Sequence, residues 1–147
     1  MKKIIGRKDK ADFPELMLTD IEVKVDTGAY TSSIHCHHVE EVEIEGEKYI
    51  KFFLLDPSHS EYNEKEFTTK NYKEKLIKSS NGVSESRYIV TTIIHIFGED
   101  YPIKLSLTER SEMKYPILLG RKLLNGNFIV DTSKNNLSYK LKKKSVL

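Results

Sequence analysis

Residues 23 to 38, VKVDTGAYTSSIHCHH, set two kinds of chemistry side by side. Asp26-Thr27-Gly28 offers a carboxylate at the end of an apolar alternating segment, and a carboxylate held that way can take a proton from water as a general base. His35, Cys36, His37 and His38 offer metal-ligand side chains in an unbroken run. On a strand, however, neighbouring residues point to opposite faces, so His35 and His37 would look one way and Cys36 and His38 the other. Catalytic zinc takes protein ligands that converge from separated elements, and no His-Glu-x-x-His helix occurs in the chain. His59 and His95 do not complete the set by spacing. A zinc site or metallopeptidase centre on His35 to His38 therefore ranks below the carboxylate, and no metal is expected.

Asp, Thr and Gly are also ordinary turn residues, so the tripeptide needs support from its surroundings. That support comes from the elements on either side. Ile21, Val23 and Val25 alternate onto one face of the segment that delivers Asp26. Gly28 admits close approach of other backbone, and the small Ala29 leaves room beside the carboxylate. Far downstream, ILLGRKLL runs an apolar strand into Gly120 and then into a short helix from Arg121 to about Leu124, closed by Gly126. Gly120 would let two chain segments pack almost in contact.

Period-two patterning dominates the rest of the chain. VEIEGEKYIKFFLL reads as two strands turning at Glu45-Gly46, with Val42, Ile44 and Tyr49 among the buried candidates. YIVTTIIHIFGEDYPIKLSL repeats the design with a turn at Gly98-Glu99-Asp100, and its second arm puts Ile103, Leu105 and Leu107 on one face. The polar segment between these hairpins, from His59 to Arg87, is either a long surface excursion or extra hairpin, or a mobile β-arm whose tip is Ser80-Asn81-Gly82. No repeat supplies a second copy of the Asp26 motif.

With 147 residues, 24 basic and 22 acidic, the chain fits a single domain with no field that would favour nucleic acid. Its one cysteine excludes an intrachain disulfide and fits a reducing compartment. No run approaches the roughly 20 apolar residues that span a bilayer. A cytoplasmic protein without membrane contact is expected. No glycine-rich GxxxxGK loop is present to hold ATP. The basic tail, about 140 to 147 with Lys140, Lys142, Lys143 and Lys144, reads as a solvated, frayed end.

VKVDTGAYTSS followed by ILLGRKLL resembles the retropepsin family of aspartic proteases. With FPEL at 13 to 16, SRYIV, LTERSEMKYPILLGRKLL and NFIVD, the chain is similar in particular to bacterial and archaeal members labelled ATP-dependent zinc proteases and found alongside ATP-grasp ligases. The resemblance implies a mainly β, closed acid-protease barrel with one short C-terminal helix, and an aspartic endopeptidase without a cofactor. Two carboxylates must share one proton and one water, so a chain with one Asp-Thr-Gly implies a homodimer in which Asp26 is paired with its own symmetry mate. Thr27 would then reach across to the opposing loop, with Gly28, Gly120 and Arg121 supporting the loop from within the chain. Gly28 and Ala29 would line the cleft for an extended peptide. A flap at about 76 to 90, with Asn81, Gly82 and Val83 near its tip, would close over it. A fold that binds peptide without cleaving it is the alternative.

Two departures from the family pattern carry expectations of their own. The long interval from Asp26 to Gly120 implies an insertion within residues 56 to 80. Tyr30 stands where retroviral members place an Asp that pairs with the arginine, which leaves Arg121 to Glu109, to Glu112 or to solvent.

Overall fold

Alternating apolar residues become strands throughout the computed structural model, which describes residues 2–54, 66–78, 82–109 and 114–145. In chain order these are β1 (Lys3–Ile5), β2 (Lys8–Phe13), β3 (Leu18–Val25), β4 (Ser32–Ile44), β5 (Glu47–Leu54) and β6 (Glu66–Thr69). They continue as β7 (Tyr72–Lys78), β8 (Ser84–Ile96), β9 (Glu99–Thr108), β10 (Ile117–Leu119) and β11 (Phe128–Val130), with helices α1 (Arg121–Leu124) and α2 (Leu137–Ser145). The chain is mainly β.

The large sheet runs β10-β3-β2-β8-β9-β4-β5-β6, with β7 added to β8. The three residues of β10 are central to it. They lie parallel to β3, with Leu119 opposite Val25, and antiparallel to β4, with Ile117 opposite Ile34. Ile21 and Val23 of β3, Ile34 of β4, Leu105 of β9 and Ile117 and Leu119 of β10 are fully buried around this junction. Each buried aliphatic side chain there contributes about 1.5–3 kcal/mol. The core therefore tightens where the Asp26 loop leaves β3.

The first hairpin turn forms at Glu45-Gly46 as expected, whereas the second falls at Phe97-Gly98, earlier than Gly98-Glu99-Asp100, because Glu99 and Asp100 already belong to β9. Glu45-Gly46 and Phe97-Gly98 take positive φ at both residues, as the two-residue turns matching strand twist require. The alternation of β9 also holds, with Ile103, Leu105 and Leu107 buried.

The outer half of β4 differs from expectation. Ile44 is exposed, and Val42 and Tyr49 are half-buried. Between His37 and Glu40 the β4–β5 register shifts by one residue, with His38 at φ 54°. A one-residue shift exchanges the two faces of a strand. Val39, not His38, then packs against the core, and Val42 and Ile44 follow the outer face. This outer portion of β4 and β5 forms an arm; of residues 56 to 80, where the insertion was expected, 66–69 form β6 and 72–78 form β7, while 56–65 and 79–80 lie outside the described residues.

The C-terminal tail is the second correction. Residues 137 to 145 are not frayed but form α2, whose first turn is capped by a residue from the other end of the chain. Asp9 of β2 is buried, and its carboxylate accepts hydrogen bonds from the amides of Ser138 at 2.8 Å and Tyr139 at 3.0 Å. Ser138 Oγ accepts from Phe97 N at 2.8 Å, and Lys142 Nζ bridges Asp12 and Asp20. An anion at the helix start and lysines in its last turn both complement the helix dipole.

Candidate functional site

Asp26 stands just past the end of β3, where its amide donates to Leu119 O at 2.9 Å. The chain then folds back on the carboxylate. Gly28 N donates to Asp26 Oδ1 at 3.0 Å, and Ala29 N donates to Asp26 O at 3.2 Å. A short polar side chain bonded to the backbone two residues on is the usual way an Asp fixes a turn. Here it also fixes the carboxylate's own orientation.

A second layer of contacts holds this loop from behind. Gly120 packs so closely that a Cβ on it would lie 2.7 Å from Tyr30 O and 2.8 Å from the carbonyl carbon of Thr31. Its amide donates to the Ser32 hydroxyl at 2.9 Å in a buried position. The first amides of a helix have no partner within the helix. In α1 the Arg121 amide donates to Ala29 O at 2.9 Å and the Lys122 amide to Tyr30 O at 2.8 Å, so the helix start and the Asp26 loop complete each other.

Arg121 does not pair with Glu109, and Glu112 lies outside the described residues. Its guanidinium donates to Thr27 O at 2.9 Å and sits 5.8 Å from the centre of the Tyr30 ring. The aromatic face takes the place of the carboxylate that retroviral members use there, because a π-face attracts a cation as a carboxylate does. Arg121 thus ties the residue after Asp26 to the residue four beyond it.

The half-buried Asp26 opens onto a cleft of about 550 Å³, shared with Ala29, Tyr30 and Leu118 and with the β7–β8 hairpin residues Lys75, Leu76, Arg87 and Ile89. Thr27 and Gly28 are exposed beside it. Gly28, Gly82 and Val83 are not among the residues lining the cleft, and Asn81 lies outside the described residues. The hairpin meets Asp26 through its stem. The Asn-Gly turn stands out in the sequence because turn chemistry is legible in single residues. The stem's contribution depends on which face of β7 and β8 turns inward.

The opposite face of the hairpin is fixed to the β4–β5 arm. Tyr72 OH donates to Glu41 Oε2 at 2.7 Å and Tyr88 OH to Glu41 Oε1 at 3.2 Å. The shared carboxylate, more than desolvation, pushes the Tyr72 phenol up to about 12.

The histidine-rich run does not assemble as a ligand set. His35 and Cys36 are both buried, and burial, reinforced by the charge of Glu109, pushes the Cys36 thiol up to about 12. A thiol so held resists becoming the thiolate a metal needs. His37 and His38, expected on opposite faces, are brought together by the register shift, with ring centroids 4.8 Å apart beside Phe53. Among the described residues no three His, Cys, Asp or Glu side chains converge to hold a metal ion. Nor is any helix among them long and apolar enough to cross a membrane.

The family described as "Retropepsin-like aspartic endopeptidase RimB" matches residues 4–140. Two curated relatives bear the name "Probable alpha-L-glutamate ligase", not that of a zinc protease. The one from Shewanella pealeana is 37% identical over 91% of the chain. The one from Desulfotalea psychrophila is 32% identical over 88%. The chain spans under a third of their length, 29% and 28% respectively. A crystal structure of a Legionella pneumophila protein of unknown function superposes with a TM-score of 0.69 at 26% identity, covering 94% of this chain and 99% of that one.

Proposed function

Since the chain belongs to the RimB-like family of retropepsin-like aspartic endopeptidases, we infer that it is a homodimeric aspartic endopeptidase in which each protomer supplies one catalytic carboxylate, Asp26. The observation that carries this is the Asp26 loop itself. One carboxylate, oriented by the Gly28 amide and buttressed by Gly120 and Arg121, faces a cleft broad enough for an extended peptide.

Peptide hydrolysis by water needs a base for the water and an acid for the carbonyl oxygen. Asp26 and Asp26 of the partner subunit divide these roles by sharing one proton, the ionised one taking the water's proton as it attacks and the protonated one donating to the carbonyl oxygen. Thr27, exposed beside the cleft, would meet the opposing loop across the two-fold axis of such a dimer. Pairing of β10 with both β3 and β4 supports the closed barrel such a dimer is built from. The β7–β8 hairpin acts as the flap, closing its stem residues over bound peptide and shutting out bulk water.

Substrates are extended peptides or protein tails. The ligase name borne by the relatives extends this to glutamate-bearing tails, the kind of product a glutamate ligase makes.

Wild-type protein and Asp26→Asn incubated with a peptide library test this reading. Cleavage by wild type that is lost in the variant is expected. Cleavage persisting in Asp26→Asn, or activity in a preparation that sedimentation shows to be monomeric, would overturn it.

A further inference from the structure

The lysines of α2 continue a face that β2 and β3 begin. Lys8 of β2 and Lys24 of β3 are direct cross-strand partners, and Lys10 stands two residues along on the same side. Lys140, Lys143 and Lys144 lie three and four residues apart, on one side of α2. The two groups meet at Tyr139, whose ring centroid is 4.7 Å from Lys10 Nζ and 5.4 Å from Lys143 Nζ. Asp9 fixes the start of α2 to β2, so strand and helix hold their lysines in one relative position. None of the six lines the Asp26 cleft.

Like charges directly opposite each other in a sheet repel, and Lys8 and Lys24 face each other without relief. Among the described residues none of the six lysines forms an ion pair. Glu22 is the one exposed carboxylate that the register from Lys8 to Ala11 sets among them, opposite Lys10. Lys142, the remaining lysine of α2, is by contrast taken up by Asp12 and Asp20. The near-neutral total of +2 hides this segregation: folding gathers six of the 24 basic residues onto one corner.

The centres of protein–protein interfaces are poor in lysine and rich in aromatic surface, whereas here lysine fills the centre and covers the Tyr139 ring. A carboxylate is matched best by the planar fork of arginine, and these six groups are all ammonium, point charges that suit the many-sided charge of phosphate. We propose that the face formed by β2, β3 and α2 binds the phosphate backbone of a nucleic acid, without reading its bases. A repeated polyanion answers all six lysines together and removes the repulsion between Lys8 and Lys24, while the Asp26 cleft stays free. The proposal does not depend on the peptidase reading.

Fluorescence anisotropy of a labelled single-stranded RNA of mixed sequence, about six phosphates or more in length, tests the face. Wild-type protein should bind it at low salt, with log K falling against log salt at a slope of about −4, since each phosphate met on a single strand contributes roughly 0.7. Lys8→Gln combined with Lys10→Gln, and Lys140→Gln combined with Lys143→Gln, should each flatten the slope by about 1.4 and weaken binding roughly tenfold. The Lys8 and Lys10 pair lies outside α2, so it decides the matter even where the helix pair loosens the helix. Lys48→Gln, in the distant arm, and Asp26→Asn should both bind as wild type does. Absence of binding at low salt, or a slope that neither pair of substitutions changes, overturns the proposal. Displacement of the RNA by polyglutamate at equal charge also overturns it, and reassigns the face to an acidic polypeptide.

Discussion

Gly120 and Tyr30 touch backbone to backbone: a single added methyl on Gly120 would lie 2.7 Å from the Tyr30 carbonyl oxygen. The atoms in the way are main chain on both sides, so no side chain can swing aside. Gly120→Ala must push α1 away from the Asp26 loop. Overpacking of this kind costs about 1–3 kcal/mol. Urea denaturation should show a loss in that range, and peptide cleavage should fall further than stability does, since the displaced loop carries Asp26. Wild-type activity in Gly120→Ala would show that the loop tolerates the shift.

Arg121 provides a finer probe of the same loop, since it reaches Thr27 O and the Tyr30 ring without touching the carboxylate. Arg121→Ala removes one charge-assisted hydrogen bond and one cation–π contact at an exposed site, a loss of about 0.5–1 kcal/mol. Arg121→Lys should recover little, because an ammonium cannot hydrogen-bond the carbonyl and lie flat on the ring together. Denaturation midpoints of the two variants check this. Near-equal midpoints are expected, and a wild-type midpoint for Arg121→Lys would mean that charge alone suffices.

Much of this was legible in the letters because it depends on residues that can play few roles. A glycine between an apolar strand and a helix, far from Asp-Thr-Gly, pointed to close packing, and Gly120 meets Tyr30 and Thr31 in that way. The strands followed from alternation until β4, where one extra residue near His38 reversed the faces. Such a register shift leaves no mark in composition. Charge alone leaves Arg121 to a carboxylate or to solvent, yet its partners are a carbonyl and a ring, neither of which a search for opposite charges detects. The inward face of the β7–β8 stem was likewise invisible, since it depends on pairing across the sheet.

The helical tail is hidden in the sequence for a related reason, and its anchor can be tested. Helix α2 has no acidic residue in its first turn, and its cap, Asp9, comes from the opposite end of the chain. Asp9 also accepts from Lys10 N at 2.8 Å, so its two oxygens serve three amides while buried. Asp9→Asn loses the charge and one acceptor, at a cost of about 1–2 kcal/mol. Hydrogen exchange should quicken through 137–145. Lys142→Met, which breaks a more exposed bridge to Asp12 and Asp20, should cost about 0.5 kcal/mol or less. Unchanged exchange in Asp9→Asn would mean that α2 is held by its other contacts alone.

Cys36 sets an alkaline limit on stability. Its thiol is raised from 9.0 to about 12 in the folded chain, chiefly by burial. Below pH 9 the thiol stays protonated whether the chain is folded or not, and its contribution to stability is fully present. Between pH 9 and about 12 the unfolded chain gives up the proton while the folded chain keeps it, so that contribution drains away. Cys36→Ala should flatten the fall in stability across this window. Native protein should also resist iodoacetamide, labelling only as fast as it unfolds. Rapid stoichiometric labelling of the native state would contradict the burial.

The Tyr72–Glu41 contact makes the hairpin's hold on the arm sensitive to pH from the outside. Glu41 accepts from both Tyr72 and Tyr88, and the Tyr72 phenol is raised from 10.0 to about 12 because its proton is shared with that carboxylate. The raised value means that the folded hairpin keeps its proton longer than free tyrosine does. The latch is therefore intact below pH 10 and is lost as pH climbs toward 12, when a phenolate would face the carboxylate. Glu41→Gln keeps an acceptor but removes the charge, so the late tyrosine ionisation seen by ultraviolet titration should move down toward 10. Tyr72→Phe removes the stronger of the two hydrogen bonds without touching the cleft face of the hairpin. Limited proteolysis of that variant should nick the β7–β8 hairpin sooner, while the thermal midpoint of the core hardly moves. An unchanged nicking rate would show that the Tyr88 bond, or strand pairing alone, holds the hairpin over Asp26.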